Sequence, residues 1–323
     1  MRRSSAILCA VFLAAAYGAE QNNKKSDPSQ IGNRDVGKGV NFYSLEKEIA
    51  LGRQLAQEVQ RQAKMVDDPL IAEFVNRMGQ NLARNSDAKV PFTFYVVDDA
   101  ALNAFALPGG YVFVNAGLIE IAEDEDELAG AMAHEIAHVA ARHMTRQATK
   151  LQIAKLAAAP VGAALGGWTG YAASAGAGVG IPMTFLSFGR KDEAEADYLG
   201  VQYAYAAGYD PTGVISIFEK LESLERKQPG AVSRAFASHP QDADRISRTQ
   251  REIQEILPAK ADYVVTTSEY RDIRKRLIDL RAARENTGGS GQPLPQAAPG
   301  GETPRQPGDS EDSPVLKRRD LLE

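Results

Sequence analysis

Apolar residues recur at helical spacing in three segments of the chain. The first segment begins after Ser44, and the second follows Asp68-Pro69, where proline is tolerated in the first turn of a helix. The third follows Asp210-Pro211 in the same way. The pattern predicts amphipathic helices that each bury one face in a common core. In the second segment that face consists of Ile71, Phe74, Val75, Met78 and Leu82.

Shorter runs rich in aromatic and β-branched residues lie between the second and third helices. Pro91–Val97 is one such run, and two more flank the turn signal Leu107-Pro-Gly-Gly110. They predict a small sheet with an antiparallel edge. Tyr263–Ala283 predicts a further strand and a short helix. The expected fold class is therefore α+β, mostly helical.

The N-terminal residues have the pattern of a secretory signal. Met1-Arg-Arg precedes the apolar run Ala6–Ala16, and small residues continue through Ala19. The run is too short to span a bilayer, so residues 1–19 are expected to be a cleaved signal peptide, with a retained anchor as the alternative. The only cysteine, Cys9, falls inside this segment, so no disulfide or thiolate ligand is expected in the mature chain.

The rest of the chain divides by composition. Residues 20–43 predict a flexible leader, residues 44–285 the folded domain, and the Gly-, Pro- and Gln-rich residues 286–323 a disordered tail. Residues 156–188 are dense in alanine and glycine and carry no charge. They favour a mobile flap or helical hairpin over a cleft, with a membrane span as the alternative. A net charge of −5 without a basic block argues against a nucleic acid partner.

Three of the four histidines fall in Ala131–Met144, which is expected to be helical. His134 and His138 then lie one turn apart on one face, where two imidazoles can bind one metal ion. Glu135 lies about 100° round the helix, beside that face. There it could take a proton from water bound to a zinc ion with three protein ligands. His143 would point about 180° away from His134 in a continuous helix, and is expected to be structural or at the surface.

A third metal ligand is needed, and the acidic segment that follows Arg190 can supply it. Glu193 and Asp197 share one face of a helix, while Glu195 points to the other side. One acid of that pair can bind the metal while the other orients a ligand histidine through its free ring nitrogen. The alternative is a solvated helix start whose acids are favoured by the helix dipole. The remaining histidine, His239, lies in a polar loop.

The pattern His134-Glu-x-x-His138 followed by Glu193-x-x-Ala-Asp197 resembles a family of zinc metallopeptidases. This is the HtpX/CAAX prenyl protease-type family, in particular its soluble periplasmic branch of BepA- and LoiP-type peptidases. The likeness runs from about Ser44 to about Ile256. It departs from the family's usual Ser-Arg at Gly189-Arg190, which does not touch a ligand. Other matching segments are Asn103–Leu118, Ala207–Pro211, Ser238-His-Pro240 and Arg245.

The resemblance implies a zincin-like domain with one zinc ion per chain. In that family pattern His134, His138 and Glu193 bind the zinc, and Glu135 is the catalytic base. Asp197 does not bind the zinc but orients one of its ligands.

Three further expectations come from the same resemblance. His239 would be either a transition-state stabiliser or a fourth zinc ligand that holds the enzyme latent. Arg245 could stabilise an oxyanion or pair with a carboxylate. Asn103–Leu107 is the candidate edge strand to which an extended substrate would add, with an internal strand as the alternative.

The implied function is that of an exported zinc endopeptidase of the periplasm. Its substrates would be unfolded or misassembled envelope proteins, and it could contact a membrane surface or the outer-membrane assembly machinery. The alternative class is a zinc-bound, largely latent chaperone or scaffold. A prenyl-protein protease is disfavoured because that activity would require several apolar spans.

Overall fold

The computed structural model describes residues 27–158, 188–227, 239, 244–286 and 315–316. The predicted signal peptide, most of the alanine- and glycine-rich flap and most of the C-terminal tail lie outside these residues. In the part of the chain that is described, no helix combines the length and the hydropathy needed to cross a bilayer.

Most of the described residues are helical, as expected. The helices are α1 (Leu45–Gln62), α2 (Pro69–Arg84), α3 (Ala116–Ile121), α4 (Glu125–Ala140), α5 (His143–Ala158), α6 (Arg190–Ala206), α7 (Thr212–Lys227), α8 (Arg245–Ile256) and α9 (Ser268–Asn286).

The main sheet has three strands in the order β1-β3-β2: β1 (Thr93–Val97), β2 (Ala104–Leu107) and β3 (Tyr111–Asn115). Strand β3 runs parallel to β1 and antiparallel to β2. Gly109 and Gly110 turn the chain between β2 and β3 with φ angles of 75° and 92°, which only glycine adopts freely. The expected α+β fold with an antiparallel-edged sheet is confirmed. A short strand β4 (Val264–Thr266) pairs with Val315–Leu316.

Helix α2 begins as its sequence predicts. The side chain of Asp68 accepts hydrogen bonds from the backbone N–H groups of Leu70 and Ile71, and Pro69 occupies the first turn. The second carboxylate oxygen of Asp68 pairs with Arg276 of α9 at 2.7 Å. Asp68 therefore caps the N-terminus of α2 and also links α9 to α2 through an ion pair.

Helix α9 is longer than the short helix expected after β4. It extends over 19 residues because Tyr270, Ile273 and Leu277 continue an apolar stripe that is buried in the core. A basic side chain of this helix also contacts the rest of the domain, since Arg274 donates hydrogen bonds to the backbone oxygen of Glu120.

Helix α4 carries the His-Glu-x-x-His motif and lies at the centre of the domain. It packs against α2, α6, α7 and β2. Helix α6 approaches closely at Gly200, where a Cβ atom would lie 3.0 Å from the Cα atom of His134 and 3.1 Å from its nitrogen. Glycine at this position lets α6 lie directly against the motif.

The segment expected to be a flexible leader is described from residue 27, and part of it is buried against the domain. Arg34 is 4% exposed and its guanidinium pairs with Asp87 at 2.6 Å. The same guanidinium donates to the side-chain oxygen of Gln202 on α6 at 2.6 Å. Val36 is buried as well. These contacts tie the segment to the helix that carries the acidic motif.

Candidate metal centre

Four side chains from three parts of the chain meet beside α4. The Nε2 atoms of His134 and His138 are 3.0 Å apart. The Glu193 carboxylate lies 3.5 Å from each of these nitrogens. Nδ1 of His239 lies 3.0 Å from Oε1 of Glu193 and 3.3 Å from Nε2 of His134. All four side chains are buried, and one donor atom from each lies within 4.8 Å of the others.

The donor set and its spacing fit a zinc ion. Tetrahedral zinc with bonds of about 2.0–2.1 Å places neighbouring donor atoms about 3.3 Å apart, close to the separations seen here. Imidazole nitrogen and carboxylate oxygen are ordinary zinc ligands. Oε2 of Glu193 is buried at 3.5 Å from Nε2 of His134 and 3.7 Å from a guanidinium nitrogen of Arg245, both longer than a good hydrogen bond, so a bound cation would pair it better. The expectation of a site able to hold one metal ion is confirmed.

The local electrostatics also favour a cation. Burial holds the pKa of His138 well below its usual range, so this imidazole is neutral and ready to bind metal. Burial also lowers the pKa of His134, but hydrogen bonds to Asp197 and Glu193 outweigh it and raise the pKa to about 9. Burial raises the pKa of Glu193, yet the charge of His239 and a hydrogen bond to His134 bring it below the usual range. Because His134 must lose its proton on binding, metal affinity should fall as the pH falls.

A carboxylate and an arginine lie directly behind His134. Oδ1 of Asp197 is 3.0 Å from Nδ1 of His134 and 2.6 Å from a guanidinium nitrogen of Arg245. The guanidinium stacks over the ring of Phe218 at 3.8 Å. Burial raises the pKa of Asp197, but the charge of Arg245 and the hydrogen bond to His134 lower it overall. Of the two contacts expected for Arg245, the structure contains the ion pair with a carboxylate.

Glu135 lies at the edge of the cluster. Burial raises the pKa of its carboxyl group. One oxygen is 3.3 Å from Nε2 of His239, and the carboxylate accepts a hydrogen bond from the backbone of Ala106. A carboxyl group with a raised pKa next to a metal site is suited to accept and return a proton.

The free edge of β2 faces this cluster. The backbone N–H of Asn115 donates to the backbone oxygen of Asn103 at 2.9 Å, so the backbone of Asn103 faces β3. Along an antiparallel strand, successive residues direct their backbone groups alternately toward and away from the neighbouring strand. The backbone groups of Ala104 and Ala106 therefore point away from β3. Within the described sheet, β2 is thus an edge strand rather than an internal one.

A cavity opens at each end of that edge. One is lined by Asn103, Ala104, Phe218 and Leu221 next to His134. The other is lined by Ala106, Leu107, Met144 and Phe188 next to His138. The two cavities therefore lie at opposite ends of the strand edge, one beside each motif histidine.

His143 is buried rather than exposed, and it is not on the far side of the motif. Helix α4 ends at Ala140, Arg142 adopts a φ of 57°, and a new helix begins at His143. This turn brings Nδ1 of His143 to 3.0 Å from Nδ1 of His138. No sequence signal marks the turn, because a residue other than glycine adopts the left-handed conformation that ends the helix.

The chain also matches known proteins over the region that forms this site. The family model described as peptidase family M48 matches residues 69–253, more than half of the chain. The chain belongs to peptidase family M48. The matched range of this M48 chain contains both helices that carry the metal-site motifs. The resemblance inferred from the motifs is therefore confirmed.

This M48 chain is similar in sequence to several named proteases. The beta-barrel assembly-enhancing protease of Yersinia pestis is 27% identical over 87% of this chain and 59% of its own length. The metalloprotease LoiP of Escherichia coli K12 is 29% identical over 60% of this chain and 76% of its own length. The mitochondrial metalloendopeptidase OMA1 of Schizosaccharomyces pombe is 36% identical over 54% of this chain and 48% of its own length. The chain spans less than two thirds of the length of the first of these relatives.

Proposed function

We propose that this chain is a zinc-dependent endopeptidase that cleaves unfolded or misassembled proteins of the bacterial envelope. The observation that carries the proposal is the buried group of three histidines and one glutamate, with Glu135 beside it. The family membership and the names of the relatives, among them a beta-barrel assembly-enhancing protease and metalloendopeptidases, support it.

In the proposed mechanism His134, His138 and Glu193 would hold a zinc ion. Bound zinc would polarise the substrate carbonyl and lower the pKa of water to about 7. Glu135 is placed to accept a proton from a water molecule in the site and would pass it to the leaving amine as the peptide C–N bond breaks. The raised pKa of Glu135 makes it a stronger base than an exposed glutamate. Asp197 keeps His134 oriented for the metal, and Arg245 in turn holds Asp197 in place.

The substrate is proposed to bind as an extended strand along β2. The outward-pointing backbone groups of Ala104 and the backbone oxygen of Ala106 offer main-chain hydrogen bonds that do not depend on substrate sequence. The cavities at the two ends of the strand accept side chains on either side of the cleaved bond. Unfolded chains can adopt this conformation, whereas folded ones must first expose a segment.

The first test replaces Glu135 by Gln in the full chain. The variant should lose at least about 100-fold in cleavage of unfolded casein, because it lacks the base, and should keep one zinc per chain. Glu193→Ala is the matched control, since it should lose zinc and activity together. A Glu135→Gln variant with wild-type cleavage would refute the proposed role.

His239 is proposed to hold the site closed. Its Nδ1 atom reaches the metal cluster, and its Nε2 atom lies 3.3 Å from the proposed base. As a fourth ligand it would occupy the position that water needs. Replacing His239 by Ala should therefore raise the rate of casein cleavage while zinc stays bound through the other three ligands. A fall to background would instead assign His239 a catalytic role.

The second candidate function, a latent chaperone or scaffold, draws on the same contacts of His239. It predicts that zinc-loaded wild-type chain binds unfolded protein without cleaving it, and that His239→Ala releases no activity. Action in the periplasm and contact with outer-membrane assembly machinery are also proposals. They draw on the N-terminal signal pattern and on the relatives' names. Cell fractionation with a C-terminal tag would test the location.

A further inference from the structure

Each of the two motif histidines has a second ring nitrogen that points away from the metal cluster. Nδ1 of His134 faces Asp197 at 3.0 Å. Nδ1 of His138 faces another imidazole, that of His143, at 3.0 Å. The two motif histidines therefore differ in the partner of Nδ1, which is a carboxylate for His134 and an imidazole for His138.

The position of each proton follows from the chemistry of the ring. His138 turns Nε2 toward the other metal ligands, so the proton of its neutral ring is on Nδ1 and is donated to His143. Nδ1 of His143 must then accept, which places the proton of His143 on Nε2. That atom lies 3.2 Å from Oε2 of Glu195. A guanidinium nitrogen of Arg146 lies 3.3 Å from the same oxygen.

Burial makes this arrangement demanding. The His143 side chain is fully buried, so both of its nitrogens need partners. The ring of Phe188 stacks on that of His138 with centroids 4.1 Å apart and closes the face of the imidazole. The ring of His138 is therefore held by Phe188 on its face and by His143 at its edge.

We propose that His143 and Glu195 are positioning residues that orient His138 and fix its tautomer for metal binding. The inference rests on the proposed zinc site. It extends that site by a chain of hydrogen bonds from Glu195 through His143 to His138. Neither residue touches substrate. Removing His143, which accepts the hydrogen bond from Nδ1 of His138, should lower metal affinity about 10–100-fold, the usual effect of losing such a partner.

The experiment measures the zinc affinity of the full chain by competition with a chelator, together with the absorption spectrum of the cobalt-substituted protein. His143→Leu removes the acceptor and should weaken zinc binding about 10–100-fold and alter the cobalt spectrum. His143→Asn retains an oxygen near the position of Nδ1 and should restore most of the affinity. Glu195→Ala should weaken binding by a smaller factor than His143→Leu.

A control on the same helix separates positioning from folding. Thr149 is buried on α5 and accepts a hydrogen bond from the backbone of Phe42 at 3.0 Å. Thr149→Val should lower the thermal stability of the metal-free chain without changing zinc affinity. Equal losses of affinity in Thr149→Val and His143→Leu would overturn the proposal, and so would a His143→Leu variant with wild-type affinity. A wild-type chain that binds no zinc would overturn the proposed function as well, so the two failures are distinguishable.

Discussion

Replacement of Glu252 by Gln should change how the stability of the protein depends on pH. Glu252 is 7% exposed on α8, and its carboxyl group accepts a hydrogen bond from the side-chain amide of Gln202 at 3.0 Å. Burial raises its pKa to about 9, and the negative charge of Asp197 acts in the same direction. Arg34 and the hydrogen bond from Gln202 oppose the rise without cancelling it. The side chain is therefore protonated at neutral pH.

The sign of the effect follows from the two states. The ordinary pKa of 4.5 applies to the unfolded chain, so the folded chain binds this proton more tightly. The contribution of Glu252 to stability is complete below about pH 4.5 and is lost as the pH rises toward about 9. Each pH unit in this window removes up to about 1.4 kcal/mol, or roughly 4 kcal/mol between pH 5 and pH 8. That is a large part of a typical folding free energy of about 5–15 kcal/mol.

The assay is urea unfolding of the metal-free wild-type chain and the variant at several pH values between about 5 and 8. The substituted glutamine side chain has nearly the same shape as glutamate and cannot ionise, so the variant should gain stability relative to wild type as the pH rises. Glu255→Gln, an exposed position on the same helix, is the matched control and should show no such trend. A difference between wild type and Glu252→Gln that stays constant with pH would refute the reasoning.

Two further predictions concern the supports of the site. Asp87→Asn leaves the buried guanidinium of Arg34 without its charged partner and should cost about 3–5 kcal/mol in the free energy of urea unfolding, and a loss below about 1 kcal/mol would contradict the pairing. Gly200→Ala places a Cβ atom 3.0 Å from the backbone of His134, so α6 must shift away from α4. It should weaken zinc binding by roughly tenfold in a chelator competition, and unchanged affinity would show that the helices can adjust without moving the ligands.

The parts of the site that could be predicted lie on regular helices. His134 and His138 are one turn apart, as are Glu193 and Asp197, so their shared faces follow from helical geometry alone. The convergence of the two pairs did not follow from spacing. It depends on the packing of α6 against α4, which Gly200 permits.

The parts that could not be predicted depend on where the helices end and on contacts distant in sequence. His143 reaches His138 only because the chain turns sharply at Arg142, and an arginine carries no signal for that turn. Arg34 lies in a polar segment whose composition resembles a flexible leader. Its partner Asp87 is 53 residues away, so no local pattern marks their buried ion pair.

The free edge of β2 bears on whether the strand pairs with folded sheets or with extended polypeptide segments. Exposed strand edges usually invite pairing with the sheets of other molecules. Here the edge is only four residues long and packs beside α4, and both features limit its pairing with a second folded sheet. A single extended polypeptide needs a gap of only about 5 Å. Under the proposed binding mode, the short edge would pair with a single extended segment more readily than with a folded sheet.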